Sequence, residues 1–270
     1  MGSEVARVAG RSLFYNLQNA LSRLIYSLLG RGMVGSAVSS AARSASYGVK
    51  TDTLVVRSAQ KKKAAVEAFR TVQSRFVWNA GRWISAQAAK QELSAFDRAV
   101  AINGPQHPYD RQILARMLVQ MARADRRIAS QENSWLTDML PAEVGSVREL
   151  AARPPLTREE LAETSAQVRP VLLMLAWTLA LVDEEFSEEE GALLREFTSG
   201  LQVNRSVADD ARKAAQEQVL GGLLEQALQF SSHDGHAREQ LAVLAERLGI
   251  PADEARAIEA RVQRRLMARG

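Results

Sequence analysis

Cysteine is absent from this chain of 270 residues, and histidine occurs only three times. Without cysteine there is no disulfide bond, no thiol nucleophile and no thiolate metal site. The sequence also lacks a nucleophile elbow and a glycine-rich phosphate loop. Because no nucleophile–base pair or cofactor motif is visible, we predict that the protein is not an enzyme. The lack of cysteine fits a reducing compartment such as the cytoplasm.

Long apolar runs are missing as well. A membrane-spanning helix needs roughly 20 consecutive apolar residues. The best candidate, residues 13–38, is interrupted by polar and charged side chains: Asn16, Gln18, Asn19, Arg23 and Arg31. Helix breakers are also few, with 7 Pro and 16 Gly, whereas 46% of the residues are apolar. The composition therefore predicts an all-α protein with a sizeable core.

Acidic residues are scarce in the first part of the chain. Residues 1–104 contain 15 Lys and Arg against 5 Asp and Glu, a net charge of +10. Residues 105–270 contain 20 against 26, a net charge of −6. Such a division suggests two parts with different partners. The basic part suits an anionic membrane surface, a nucleic acid or an acidic protein surface.

Apolar periodicity predicts helices along most of the sequence. Residues 4–29 form an amphipathic pattern, and residues 53–100 form a second one with frequent positive charge. A segment rich in Gly and Pro, Asn103–Pro108, marks a boundary, so we predict a basic amphipathic helical region at 1–104 and a helical domain at 105–270. Further helices are predicted at 109–124, 130–140, 144–152, 168–182, 187–201, 206–230, 236–248 and 251–267. Thr157 opens one more through a capping box.

Two stretches of the helical domain repeat each other 58 residues apart, Leu114–Leu140 and Leu172–Thr198. Their apolar positions coincide, as expected when one helix–turn–helix unit is used twice. Two pairs of acidic residues occupy equivalent positions: Asp125 with Asp183, and Glu132 with Glu190. The repeat therefore places four carboxylates at matched places.

These carboxylates suggest a cation site. Carboxylate oxygens suit hard cations, and if the repeats pack face to face the four groups would converge around Ca²⁺ or Mg²⁺. The alternative is helix capping, since Ser187 with Glu190 is a capping box and acidic residues in a first turn complement the helix dipole. An EF-hand is excluded because its alternating ligands and central Gly are missing.

Residues 109–270 resemble the TerB-like superfamily, named for tellurite-resistance proteins. The resemblance rests on Ala180–Asp183, Ser187–Glu190, Leu193–Leu194 and the tail Leu241–Pro251. The segment Arg153–Leu161 further resembles a branch of uncharacterised bacterial inner-membrane proteins that carry a TerB-like domain. The resemblance implies metal binding at the acidic positions and a cytoplasmic location, peripheral on the inner membrane.

The chain departs from the family pattern in both acidic turns. The Gly that follows the acidic residue in the family is Arg126 in the first repeat and Glu184 in the second. These changes weaken the expectation of a cation, above all for the first turn.

Our leading hypothesis is a non-enzymatic helical interaction or scaffold protein with a TerB-like docking or sensing module. Its basic N-terminal helices would attach it to an anionic membrane surface, to another protein or to a second copy in a homo-oligomer. The alternative is a metal-ion-binding stress-response protein, similar to tellurite-resistance proteins. The acidic domain argues against nucleic acid as the partner.

Overall fold

The computed structural model describes the chain at residues 18–26, 28–29, 67–68, 71–72, 76–79, 82–85, 93–124, 140–182, 186–230 and 242–267. Its contacts divide the described residues into two units. Those within 1–29 and 103–270 form one, called here the main unit, and those within 30–102 form the other. Each unit is described by itself.

Most of the described residues are helical, which confirms the predicted helical class. The elements run in the order β1 (Phe76–Asn79), β2 (Arg82–Ser85), α1 (Ala95–Asn103), α2 (Pro108–Met121), a 3-10 helix (Ala142–Val144), α3 (Val147–Ala151), α4 (Arg158–Ala162), α5 (Arg169–Val182), α6 (Glu188–Gly200), α7 (Arg205–Phe230) and α8 (Ala252–Met267). Residues 18–26, 28–29 and 242–247 are helical too.

One part of the predicted helix over residues 53–100 is wrong. Strands β1 and β2 form an antiparallel pair in which Phe76 lies opposite Ser85 and Trp78 opposite Trp83. Aromatic and β-branched residues dominate both strands, and these residue types favour extended backbone. A short apolar run fits the helical and the extended period equally well, so periodicity alone could not separate the two.

Helix α5 is the centre of the main unit. Ten of its 14 residues are buried, and it packs against α7, α2 and α6. An almost wholly apolar helix has no face for solvent, so it must lie inside. Its one buried hydroxyl, Thr178, donates to the carbonyl of Met174 at 2.8 Å and is therefore paired.

The N-terminal amphipathic pattern is confirmed for its described residues, 18–26 and 28–29. Its apolar side chains are at most 5% exposed: Leu21, Ile25, Leu28 and Leu29. The contacts group this helix with residues 103–270, whereas the predicted division placed it with residues 1–104. These four side chains therefore belong to the core of the main unit, whereas Tyr26 on the same helix is 51% exposed.

Helix ends follow the predicted signals closely. Thr157 and Ser187 both form complete capping boxes, with Glu160 and Glu190 respectively. Ser146 and Glu149 form a third box that the sequence analysis did not single out. These boxes satisfy the free N–H groups of a first turn, which explains why short helices such as α3 and α4 persist.

Gly249 ends the helix at residues 242–247, as its position after Leu248 predicts. Its φ is +67°, and its N–H donates to the carbonyl of Glu246. The next N–H, of Ile250, reaches back to the carbonyl of Ala245 at 2.8 Å. This left-handed stop turns the chain towards α8.

We expect alanine to change the stability of the protein in opposite directions at two glycines that lie in helices. We expect Gly200→Ala to destabilise the protein by about 1–2 kcal/mol, because overpacking exceeds the gain in helix propensity. A Cβ on Gly200 would overlap Leu161 Cδ1 and lie 3.1 Å from Leu161 Cβ. The matched control, Gly221→Ala, should stabilise by up to about 1 kcal/mol, since its Cβ would meet Ile258 and Val262 at 3.7 and 3.8 Å.

Urea unfolding of the two glycine variants, followed by circular dichroism, measures both changes. If Gly200→Ala were as stable as Gly221→Ala, the close packing of α4 on α6 would be contradicted.

Candidate docking groove

The predicted cation site is described at one of its four residues. Asp125, Glu132 and Asp183 lie outside the described residues, so their convergence with Glu190 stays a prediction. Among the residues that are described, no group of three or more His, Asp or Glu side chains is placed to hold a metal ion.

Glu190 caps the helix that it begins. It is 5% exposed, and its Oε2 accepts from the backbone N–H of Ser187 at 2.8 Å and from the Ser187 hydroxyl at 3.0 Å. In return its own N–H donates to Ser187 Oγ at 3.2 Å. The capping interpretation of this pair is therefore confirmed. Glu188 and Glu189 are exposed in the same first turn, where they complement the helix dipole.

A stack of three side chains lies beside this turn. The rings of Trp177 and Phe186 are 5.8 Å apart and 15° from parallel, and the guanidinium of Arg212 lies 5.4 Å from the centre of the Trp177 ring. Phe186, an apolar position of the second repeat, is 49% exposed. The stack fastens the start of α6 to α5 and α7 by ring and cation contacts rather than by burial.

An ion pair with one buried partner joins α2 to α4, since the Glu160 side chain is 34% exposed. Arg116 is 6% exposed, and its guanidinium binds the carboxylate of Glu160 and the carbonyl of Pro154. This hydrogen bonding lowers the pKa of Glu160. Next to it, burial raises the pKa of Tyr109 to about 12, and the Tyr109 hydroxyl donates to the carbonyl of Glu160 at 2.9 Å. All these partners are internal, so the cluster fixes α4 on α2.

An apolar groove of about 570 Å³ opens on another face of the main unit. Its walls are α7, the helical residues 242–247 and the first half of α8. The apolar lining residues are Leu220, Leu224, Ala242, Ala245, Ile250, Ala252 and Ala255. Leu220, Leu224 and Ala245 are at most 4% exposed and form the floor. Four of the lining residues are alanines, whose short side chains fill little of the space between the helices.

Charged side chains stand at the rim of the groove. Glu246 lies on one wall, and Arg256 and Glu259 lie on the other. Glu246 and Arg256 are exposed, and neither forms a salt bridge with another residue that the structure describes. The Arg256 side chain is oriented by its Nε, which donates to the carbonyl of Ala252 at 3.2 Å.

The sequence analysis did not predict this groove. The helices at 236–248 and 251–267 are predicted, but the space between them is not. The stretch Leu241–Pro251 nevertheless contains the two signals that build the groove. One is the spacing of Ala242 and Ala245, and the other is the stop at Gly249, which brings α8 back along α7.

The groove, the capped acidic turn and the helical core describe a mostly helical protein with an open apolar groove. Comparison with protein-family models, with curated proteins and with solved structures yields no match to this chain. In the part of the chain that the structure describes, no helix is both long enough and apolar enough to cross a bilayer.

Proposed function

We propose that this chain is a non-enzymatic helical interaction protein and that it docks another polypeptide in the groove between α7, residues 242–247 and α8. The observation that carries the proposal is the groove itself. It has a volume of about 570 Å³, is lined mainly by apolar residues and is open to solvent. Water on such a surface is displaced favourably by an apolar partner.

The shape of the groove favours a polypeptide over a small molecule. Small-molecule sites enclose most of the ligand and aim a few polar groups at it. Here the groove is open along one side and its charged groups stand at the rim, so it covers only one face of an occupant. A helix laid in a groove is bound in this way, with its apolar side chains inserted and its polar face left in water.

The small side chains on both walls support a helix as the occupant. Ala242 and Ala245 lie on one wall, and Ala252 and Ala255 lie on the other. Small residues let the backbone of a partner approach closely and so increase the contact made by each of its side chains.

The other expected activities are not carried by the described residues. A Ca²⁺ or Mg²⁺ site requires Asp125, Glu132 and Asp183, which lie outside the described residues, together with Glu190. The TerB-like resemblance rests on short sequence motifs. Attachment to an anionic membrane depends on residues 1–104, of which helix 18–29 already buries its apolar face. These stay predictions beside the docking proposal, as does a cytoplasmic location.

Site-specific photo-crosslinking tests the docking proposal. A benzophenone side chain placed at Ala255, which lines the groove, should give covalent protein adducts of discrete mass in cells that produce the full chain. The matched control is the same group at Ser199, an exposed position on α6 away from the groove. Adducts from Ala255 alone support docking, whereas no adduct at Ala255, or equal adducts at both positions, would contradict it.

A further inference from the structure

We infer that the occupant of the groove is the same surface of a second copy of this chain, so that two groove walls pack together about a two-fold axis. This inference rests on the proposed function and specifies the partner. It is carried by two observations: the exposed rim charges, Glu246 on one wall and Arg256 on the other, have opposite signs, and an exposed apolar side chain stands beside the apolar groove. Glu259 on the second wall is half-buried and already accepts a hydrogen bond from Gln263.

The rim charges meet the condition for self-pairing. In a two-fold interface, residue i of one copy contacts residue j of the other, and j contacts i. Glu246 and Arg256 lie on opposite walls, are exposed, and have no salt-bridge partner among the described residues. A two-fold axis through the groove therefore joins Glu246 of each copy to Arg256 of the other, which forms two identical ion pairs. A rim of a single sign would have favoured a partner of the opposite charge.

The helix at residues 242–247 also carries an exposed apolar side chain that can enter the groove of the second copy. Val243 is 64% exposed, although it is a branched apolar residue next to Ala242 in the groove lining. It lies three residues from Glu246, so the two side chains share one exposed face of the helix. When Glu246 pairs across the axis, Val243 is carried towards the apolar floor formed by Leu220 and Leu224. Protrusion and groove then complement each other within one surface.

Charge reversal with mixing tests the inference. The variants are Glu246→Arg, Arg256→Glu and the two combined, all in the full chain, and their masses are measured by light scattering at about 100 μM, since a dimer depends on protomer concentration. Wild type should have twice the mass of one chain. Each single reversal turns both ion pairs into repulsions, so we expect Kd to rise at least about tenfold. The combined variant should dimerise again.

An equimolar mixture of the two single variants gives the sharpest result. In a mixed dimer both rim pairs again join opposite charges, so two chains that fail to dimerise alone should form a one-to-one dimer together. Damage to the fold could not be repaired in this way. Glu196→Arg on α6 and Arg264→Glu in the second half of α8 are matched controls, because both residues are exposed and neither lines the groove, and they should leave the dimer unchanged.

Val243→Ser tests the inference if a charge variant does not fold. Val243 is exposed, so its replacement should change the stability of the single chain little. It should weaken the dimer by about fivefold or more. A monomeric wild type, or a dimer indifferent to all these changes, would overturn the inference. If the wild type is monomeric while Ala255 still crosslinks to a different protein, the docking function stands and only the second copy as partner is wrong.

Discussion

Replacing Glu160 with alanine is expected to lower the free energy of unfolding by about 3 kcal/mol. The substitution removes the carboxylate that pairs with Arg116. Because Arg116 is only 6% exposed, its charge is then left without an ionic partner. Removing the partner of a buried charge costs several kcal/mol. The 34% exposure of the Glu160 side chain and the hydrogen bond that Arg116 keeps to the Pro154 carbonyl place the expected cost at the lower end of that range. The same change also breaks the capping box with Thr157.

The double replacement Arg116→Met with Glu160→Leu serves as the matched control for Glu160→Ala. It removes both charges and should recover more than half of the loss. Urea unfolding measures all three proteins. Equal losses in the single and the double variant would contradict the explanation by an unpaired buried charge.

The same pair predicts how stability depends on pH. Hydrogen bonding from Arg116 holds the pKa of Glu160 below its ordinary value of 4.5 in the folded chain. Its stabilising contribution is therefore complete above about pH 4.5 and is lost as the pH falls through the lower, folded-state pKa. The Glu160→Ala variant should therefore lose less stability than the wild type when the pH falls below about 4.5, which urea unfolding at several pH values measures.

The substitution Leu175→Ala is expected to cost about 3–4 kcal/mol, a large share of the 5–15 kcal/mol that stabilises a typical domain. Leu175 is 0% exposed and lies in the middle of α5, where helices pack on several sides and cannot all close the gap. The loss combines the transfer of the removed methyl groups with the cavity that remains.

Leu228→Ala is the matched control for Leu175→Ala, since it makes the same chemical change at a position that is 39% exposed on α7. It should cost less than about 1 kcal/mol. Thermal unfolding followed by circular dichroism compares the two. A similar cost at both positions would contradict the central place of α5 in the core.

Much of the helical framework could be predicted from the sequence because it depends on local signals. The apolar run at 168–182 predicts α5 almost to the residue, and Ser187 with Glu190 predicts the start of α6. The break at Asn103–Pro108 likewise separates α1 from α2. Each of these signals acts within one or two turns, which is the range over which capping and periodicity operate.

The hairpin and the groove could not be predicted because they depend on contacts between distant residues. Whether residues 76–85 form a helix or two strands is decided by which partner strand is available, and a short aromatic run does not encode that. The groove depends on how closely α8 returns along α7 and on how little volume the alanines fill. Sequence patterns report the direction of a side chain, but not the space that packing leaves open.

The placement of helix 18–29 in the main unit has a consequence for the order in which the chain matures. This helix is made before the residues that group with it, which begin only at 103. During synthesis the apolar side chains of this helix therefore stay unburied until residues 30–102 have been made. The core is completed only when the two ends of that insertion come together. The entropic cost of closing such a loop grows only slowly with its length, so the insertion costs little stability. Its main effect is a delay during synthesis, in which the unburied helix can associate with other chains.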